Sequence, residues 1–188
     1  MHVIERTDRF TLVGSDARRG KLTLFGAEGP RRPGPLQRIW LRVSDLDAAR
    51  AALPPGTPEV FDVGEGLQVT LVQGETDVEY DFDHVELLSP DPEAAARDWL
   101  RFGFSPAGPT RVEVEGAFLE LVAGDPGEPE RPLLNHLGVL VDAAGPAQDL
   151  GFDVADVIDA PNTFAVFVWG PDRVKLEYVE HKASFSLR

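Results

Sequence analysis

FDHVELLSPDPEAAARDWLRF, residues 82–102, is the stretch that decides the fold. It opens with apolar residues in a pattern typical of a strand and continues into an alanine-rich segment typical of a helix. Asp91 and Pro92 mark the boundary, because Asp is a favoured N-cap residue and Pro a favoured first helical residue. Gly103 follows and predicts the end of the helix. The stretch therefore predicts a strand followed by a capped helix.

Two further strands are predicted after this helix. Residues 111–115 and 118–122 alternate between apolar and polar side chains and are separated by a turn at Gly116. Such alternation is typical of half-buried antiparallel strands. The complete segment therefore resembles a βαβββ module.

The same pattern recurs along the chain. Residues 36–53 and 134–150 also begin as a strand and run into a capped helical segment. Strand patterns follow these segments, at 59–63 and 67–72 and at 164–169 and 174–179. A lone hairpin, residues 10–13 and 21–25, resembles the last two strands of a further unit. We therefore predict an α+β fold of tandem βαβββ modules with mixed, curved sheets, preceded by a degenerate module half.

Composition excludes several classes of protein. The chain has no cysteine, which excludes disulfides, thiolate metal sites and a cysteine nucleophile. No apolar run approaches the roughly 20 residues of a membrane-spanning helix, and the first residues do not resemble a signal peptide. We expect a cytoplasmic protein that has no membrane partner.

The net charge of -14 bears on the partners. No basic residue lies between Arg50 and Arg97. So acidic a chain repels phosphate backbones, and we expect a small-molecule substrate or ligand rather than nucleic acid. A cationic ligand would suit this charge.

Two units place a histidine in the first strand and a glutamate in the last. These residues are His84 with Glu120 and His136 with Glu177. Alternate residues of a strand share a face, so each glutamate points away from the apolar residues on either side of it. A sheltered carboxylate is costly unless it is paired or bound to a cation. Two imidazoles and two carboxylates predict one divalent metal, Zn, Ni, Co, Mn or Fe, held by all four residues.

The first unit provides an internal control. Taken singly, a strand histidine is more often structural and a strand glutamate more often solvated. Alignment of the helix caps places Arg38 at the position of His84, and Thr70 at that of Glu120. Thr23 of the leading hairpin has the same place as Thr70. Only the second and third units therefore carry the predicted ligands.

Residues 84–87, 89–95 and 174–178 resemble the vicinal-oxygen-chelate superfamily. This superfamily includes glyoxalase I, methylmalonyl-CoA epimerase, extradiol dioxygenases and bleomycin-resistance proteins. The resemblance covers roughly residues 82–180 well and 36–73 loosely. It implies two modules, 82–122 and 134–179, that form a cup around the metal within residues 80–188. Residues 1–75 would then be a degenerate, metal-free region.

The resemblance implies a glyoxalase-like lyase or isomerase whose metal stabilises an enolate-like intermediate. Glu120 or Glu177 would serve as the base, and Glu86, on the same face as His84, is a further candidate. The metal tetrad favours catalysis, because binding proteins of this superfamily usually lack it.

Two alternatives remain open. The first is a non-catalytic protein that binds or sequesters a small molecule, as bleomycin-resistance proteins do. The second is an extradiol-type dioxygenase with His84, His136 and Glu177 as its metal triad. Modules can also pair across a homodimer, and the sequence is compatible with one.

Overall fold

The computed structural model describes residues 1–16, 19–114 and 116–185. A seven-stranded sheet has the order β5-β6-β4-β7-β10-β9-β8. Its strands, in chain order, are β4 (Leu36–Val43), β5 (Val60–Asp62), β6 (Gln68–Gln73), β7 (Asp81–Ser89), β8 (Ser105–Pro106), β9 (Arg111–Val114) and β10 (Ala117–Ala123). Helices α1 (Leu46–Ala51) and α2 (Pro92–Trp99) connect β4 to β5 and β7 to β8. No helix in these described ranges is long and apolar enough to cross a membrane.

Two smaller sheets complete the fold. Strands β1 (His2–Arg6), β2 (Phe10–Gly14) and β3 (Lys21–Phe25) form a three-stranded sheet in that order. A four-stranded sheet has the order β11-β14-β13-β12. Its strands are β11 (Leu137–Leu140), β12 (Asp153–Asp159), β13 (Thr163–Trp169) and β14 (Lys175–His181). The predicted α+β class is confirmed, and β1, β8 and β12 are additional to the predicted strands.

Local sequence explains the two helices. The Asp91 side chain accepts a hydrogen bond from the backbone N–H of Ala94 at 3.0 Å, and Asp45 caps α1 through Ala48 at 2.9 Å. Gly103 lies at φ 91°, in the left-handed region that favours glycine. The third unit has only a 3-10 helix, Gly145–Asp149, without a side-chain cap. Gly151, in the left-handed region at φ 75°, follows directly and ends the helical segment.

The core lies between the seven-stranded and four-stranded sheets, with α2 between them. Leu119 and Leu121 of one sheet and Leu176 and Tyr178 of the other belong to the same buried cluster as Trp99 of α2. The aromatic residues Trp99, Phe102 and Phe104 are all buried in this core. The inner surfaces of both sheets are therefore apolar, and their polar residues lie on the opposite faces.

A buried hydrogen bond ties the third unit to the end of α2. The Tyr178 hydroxyl donates to the carbonyl oxygen of Phe102 at 2.9 Å, and burial raises the pKa of Tyr178 to about 12. The Phe102 ring also stacks on Phe152 at 4.4 Å. These contacts position β14, and hence Glu177, relative to the core.

The pairing of the units differs from the prediction. We expected 82–122 to pair with 134–179, but the sheet partner of the second unit is the first unit. Strand β4 runs antiparallel to β7, with Trp40 opposite His84 and Arg38 opposite Glu86. The third unit forms the separate four-stranded sheet. The predicted equivalence of the first two units is nevertheless visible, since Thr70 pairs with Trp40 as Glu120 pairs with Glu86.

Candidate functional site

The first face, the surface of the seven-stranded sheet turned away from α2, carries a row of stacked rings. The His84 ring lies between Trp40, at a centroid distance of 5.1 Å, and Phe118, at 4.1 Å. These residues are cross-strand neighbours on β4, β7 and β10. The guanidinium of Arg111 covers the other side of Phe118 at 4.1 Å. Ring stacking of this kind stabilises the sheet and fills the face with its own side chains.

Asp83 fixes the orientation of the His84 ring. Its Oδ2 lies 2.6 Å from Nδ1 of His84, and its Oδ1 accepts a hydrogen bond from Nε of Arg42 at 2.5 Å. Burial raises the pKa of Asp83, but the hydrogen bonds from His84 and Arg42 outweigh burial, so the pKa lies below its ordinary value of 3.8. The Asp83 carboxylate therefore accepts a hydrogen bond from Nδ1 of His84, which carries the proton.

The glutamates of the first face are also paired with protein groups. Glu120 accepts hydrogen bonds from Thr110 Oγ1 at 2.8 Å and from Arg111 Nε at 2.7 Å. Glu86 Oε2 lies 3.3 Å from Arg38 Nε. Each carboxylate thus has a guanidinium as its counter-ion, which removes the electrostatic need for a bound cation.

Four buried polar atoms on or beside this face have no hydrogen-bond partner among the described residues. They are Arg38 Nε, Trp40 Nε1, Thr70 Oγ1 and Glu86 Oε2. Arg38 and Glu86 lie at ion-pair distance but are not aligned for a hydrogen bond. All four atoms are sealed from solvent, so a ligand would have to displace neighbouring side chains to reach them.

The second face, the surface of the four-stranded sheet turned away from α2, holds the other predicted pair. Nε2 of His136 lies 3.2 Å from Oε2 of Glu177. The His136 ring meets the Phe167 ring edge-on at 5.3 Å, and Phe167 is the cross-strand neighbour of Glu177. Nδ1 of His136 lies 2.9 Å from Oδ1 of Asn135. One imidazole, one carboxylate and one phenyl ring therefore converge here.

The Glu177 carboxylate lies closely over a glycine. Gly138 pairs with Glu177 across β11 and β14, and a Cβ atom at Gly138 would lie 3.2 Å from Oε2 of Glu177. Phe25 of β3 also lies near this pair, with its ring centroid 6.2 Å from that of His136. The Phe25 side chain is 50% exposed. The His136 side chain is 17% exposed and that of His84 is 10% exposed, so the second face is slightly more open at its histidine.

The structure does not assemble the predicted metal tetrad. His84 and Glu120 lie on the seven-stranded sheet, whereas His136 and Glu177 belong to the four-stranded sheet. Among the residues that the structure describes, no group of three or more His, Cys, Asp or Glu side chains is placed to hold a metal. The pairing of the units explains this separation. His84 and Glu120 share a sheet with the first unit, where the equivalent positions hold Arg38 and Thr70.

The residues present do not fit a catalytic metal. Such a metal needs at least three protein ligands. The first face offers one imidazole and two carboxylates, both of which are paired with arginines, and the second face offers one imidazole and one carboxylate. The dioxygenase triad of His84, His136 and Glu177 is likewise not assembled. The base roles expected for Glu86, Glu120 and Glu177 depended on a shared metal, and Glu86 and Glu120 are instead paired with arginines.

Two surface clefts lie away from both faces. One, of about 330 Å³, is lined by residues of α1 and the proline-rich segment that follows it, including Pro54, Pro55 and Pro58. The other, of about 410 Å³, lies between Ser44 and Gln73. The first cleft is also lined by Phe61 and Glu59, and the Glu59 carboxylate is paired with Arg50 at 3.2 Å.

Comparison with known proteins shows which fold the chain has. No family model and no curated protein matches the chain. A proposed dioxygenase from Bacillus subtilis subsp. subtilis str. 168 superposes with a TM-score of 0.70 over 92% of this chain and 72% of its own, at 17% sequence identity. The chain has the vicinal-oxygen-chelate fold. At such identity the likeness concerns the fold alone.

Other solved structures with the vicinal-oxygen-chelate fold are more distant. A triple mutant of 4-hydroxymandelate synthase from Streptomyces coelicolor matches 80% of this chain and 64% of its own, with a TM-score of 0.50 and 15% identity. A glyoxalase/bleomycin resistance protein/dioxygenase from Nocardioides matches 55% of this chain and 85% of its own, with a TM-score of 0.39 and 20% identity. The superposition on the Bacillus subtilis protein confirms the fold predicted from the resemblance.

Several residues of the two faces were missed by sequence analysis. Asp83 directly precedes His84, and Asn135 directly precedes His136, so a repeated acceptor-histidine pair was visible in the sequence. Arg111 and Phe25 carried no such signal. Their contacts depend on which strands become neighbours, and sequence spacing alone does not determine that.

Proposed function

We propose that this protein binds a small organic cation on the second face, as a non-enzymatic binding protein with the vicinal-oxygen-chelate fold. One observation carries the proposal. In the described part of the chain, His136 is the only basic side chain paired with Glu177, whereas Glu120 is held by Arg111 and Thr110. The Glu177 side chain is 21% exposed, so it is sheltered yet accessible.

The surroundings of Glu177 favour a cationic ligand. A partly buried carboxylate with few partners is costly, and a cation reduces that cost. The half-exposed Phe25 ring provides a site at which a cation is attracted to the ring quadrupole. The net charge of -14 attracts cations toward the protein as a whole. The Glu177 carboxylate lies over Gly138, where a larger residue would crowd it.

Substitution of Glu177 by glutamine tests the proposal. We expect Glu177→Gln to weaken binding of aryl quaternary ammonium ions and benzamidinium by about tenfold or more, since the ligand loses its counter-ion. Isothermal titration calorimetry with this panel measures the effect. Glu120→Gln is the matched control, because Glu120 is already neutralised by Arg111, and it should bind like the wild type. Equal losses in both variants, or no binding by the wild type, would contradict the proposal.

A metal-dependent enzyme is the second candidate, and one observation favours it. Oδ1 of Asn135 lies within hydrogen-bonding distance of Nδ1 of His136, which leaves Nε2 directed toward Glu177. A fixed Nδ1 is typical of metal-ligating histidines. Among the described residues, however, the second face supplies only two candidate metal ligands, His136 and Glu177. We therefore prefer cation binding to metal-dependent catalysis.

Metal content distinguishes the two candidates. After incubation with Zn, Ni, Co, Mn or Fe and extensive dialysis, we expect elemental analysis to find well under one ion per chain, because two ligands hold a metal weakly. Glu177→Gln and Glu120→Gln serve as paired controls. Stoichiometric metal that disappears only in Glu177→Gln would reverse the preference in favour of the enzyme.

A further inference from the structure

Two basic side chains lie at one end of the second face. Trp169 and Lys175 are cross-strand neighbours on β13 and β14, as Phe167 and Glu177 are. Alternate residues of a strand share a face, so both pairs lie on the second face. Arg173 belongs to the turn that precedes β14. The second face therefore carries a positive end beside its carboxylate.

Both bases are held beside one aromatic ring. The Arg173 guanidinium lies 4.6 Å from the centroid of the Trp169 ring, and Nζ of Lys175 lies 5.1 Å from it. The Trp169 and Lys175 side chains are partly buried. Two like charges beside one ring repel each other. An anion that contacts both bases would reduce this repulsion.

The charge of these two bases is not neutralised by the protein. Among the residues that the structure describes, no carboxylate lies within ion-pair distance of Arg173 or Lys175, including Asp153, which lies opposite Trp169 on β12. All three arginines of the seven-stranded sheet, in contrast, are paired with carboxylates: Arg38 with Glu86, Arg42 with Asp83 and Arg111 with Glu120. In a chain of net charge -14, two neighbouring bases without an acid indicate a place for an anion from outside the chain.

The turn before β14 positions one of the two bases. The backbone N–H of Gly170 donates to the carbonyl oxygen of Val174 at 2.8 Å and closes the turn. Asp172 and Arg173 lie at φ 51° and 60°, in the left-handed region that residues other than glycine rarely adopt. Backbone of this kind persists where its surroundings hold it and is common at ligand-binding sites. The turn therefore holds the Arg173 guanidinium over the Trp169 ring.

The positive end is close to Glu177 but separate from it. Lys175 and Glu177 are two residues apart on β14, which corresponds to about 7 Å along a strand. Each is engaged elsewhere, since Nζ of Lys175 lies over Trp169 and Oε2 of Glu177 lies 3.2 Å from Nε2 of His136. Opposite charges at this separation can bind two different groups of one small ligand.

We propose that the ligand of the second face is a zwitterion, with its cationic group beside Glu177 and a carboxylate held by Lys175 and Arg173. This inference rests on the cation binding proposed above and adds a second recognised group. A ligand that is only positively charged is repelled by the two bases, whereas a zwitterion is attracted at both of its ends. An arginine and a lysine side by side are suitable donors for charge-assisted hydrogen bonds to a carboxylate.

The probe is 4-amidinobenzoate, because its positive and negative groups lie on opposite sides of one ring. Benzamidinium is the same molecule without the carboxylate. We expect isothermal titration calorimetry at neutral pH to show that the wild type binds 4-amidinobenzoate about tenfold or more tightly than benzamidinium, since the carboxylate adds charge-assisted hydrogen bonds. Equal affinity for the two compounds, or tighter binding of benzamidinium, would overturn the proposal.

Substitution of the two bases tests whether they hold the carboxylate. We expect Lys175→Gln and Arg173→Gln each to remove most of the gain and to bind benzamidinium more tightly than the wild type does, because a repelling charge is removed. General damage to the face would instead weaken both compounds. Arg101→Gln is the matched control, since Arg101 is an exposed base on the 3-10 helix Leu100–Phe102, and it should retain the gain. A gain that survives both Lys175→Gln and Arg173→Gln would contradict the zwitterion.

Glu177→Gln distinguishes failure of this inference from failure of the proposed cation binding. Binding of 4-amidinobenzoate that Glu177→Gln weakens and Lys175→Gln does not would support cation binding and overturn the zwitterion. Binding that Lys175→Gln weakens and Glu177→Gln does not would support the carboxylate site and overturn cation binding. A wild type that binds neither compound would overturn both.

Discussion

Replacement of Trp99 by alanine is expected to lower the free energy of unfolding by about 3–5 kcal/mol. Trp99 is 1% exposed, and its ring contacts Phe104 at 5.0 Å and Phe102 at 5.7 Å. A Cβ atom at Gly170 would lie 3.1 Å from the Trp99 ring, so the indole also packs closely against the third unit. The loss should appear as a lower urea midpoint with an unchanged slope.

Leu100 provides the matched control for Trp99. It is the next residue of the chain but is 39% exposed, so Leu100→Ala should change stability by about 0.5 kcal/mol or less. If Trp99→Ala cost no more than Leu100→Ala, the packing of both sheets against α2 would be incorrect. The comparison therefore tests the layer arrangement that places the polar residues on the two outer faces.

The internal structure of each unit was predictable because its signals are local. The stretch 82–102 contains the strand alternation, the Asp91 cap and the Gly103 stop within a few residues of one another. The same alternation predicted that Glu120 and Glu177 point away from the core. Both predictions hold, since the residues that flank each glutamate are buried.

The pairing of the units was not predictable from such signals. Strand β7 has an apolar pattern compatible with several neighbours, and the linkers on either side of the second unit are both short. The choice of β4 as its partner brings Arg38 to Glu86 and Trp40 to His84. These cross-strand contacts exist only in one register, and no spacing along the chain specifies it.

The structure brings together one of the predicted histidine-glutamate pairs and engages the other with protein groups. His136 and Glu177 do come together, because they belong to neighbouring strands of one unit. His84 and Glu120 are on adjacent strands too, but Asp83 and Arg111 engage them. The prediction of one shared site rested on the internal symmetry of the units. Equivalent positions of different units, however, need not face the same site.

Replacement of Asp83 by asparagine is expected to lower the free energy of unfolding at pH 7 by about 1.5–3 kcal/mol, the range for hydrogen bonds to charged groups. The Asp83 side chain is 9% exposed, and its loss of charge would leave Arg42 without a counter-ion. Nδ1 of His84 would also lose a charged acceptor. Asp77→Asn is the control, since Asp77 is 79% exposed and pairs with Arg19 at the surface. It should change stability by about 0.5 kcal/mol or less.

The pH dependence of the Asp83→Asn effect identifies its cause. Hydrogen bonds from His84 and Arg42 exceed the effect of burial and hold the folded-state pKa of Asp83 below its ordinary value of 3.8. Its stabilisation is therefore fully present above that value and is lost as the pH falls through the lower folded-state pKa. Urea unfolding of wild type and variant should show a constant gap from neutral pH to about pH 5 that narrows below about pH 4. A gap that stays constant down to pH 2 would mean that the shape of the side chain, and not its negative charge, holds His84 in the ring stack.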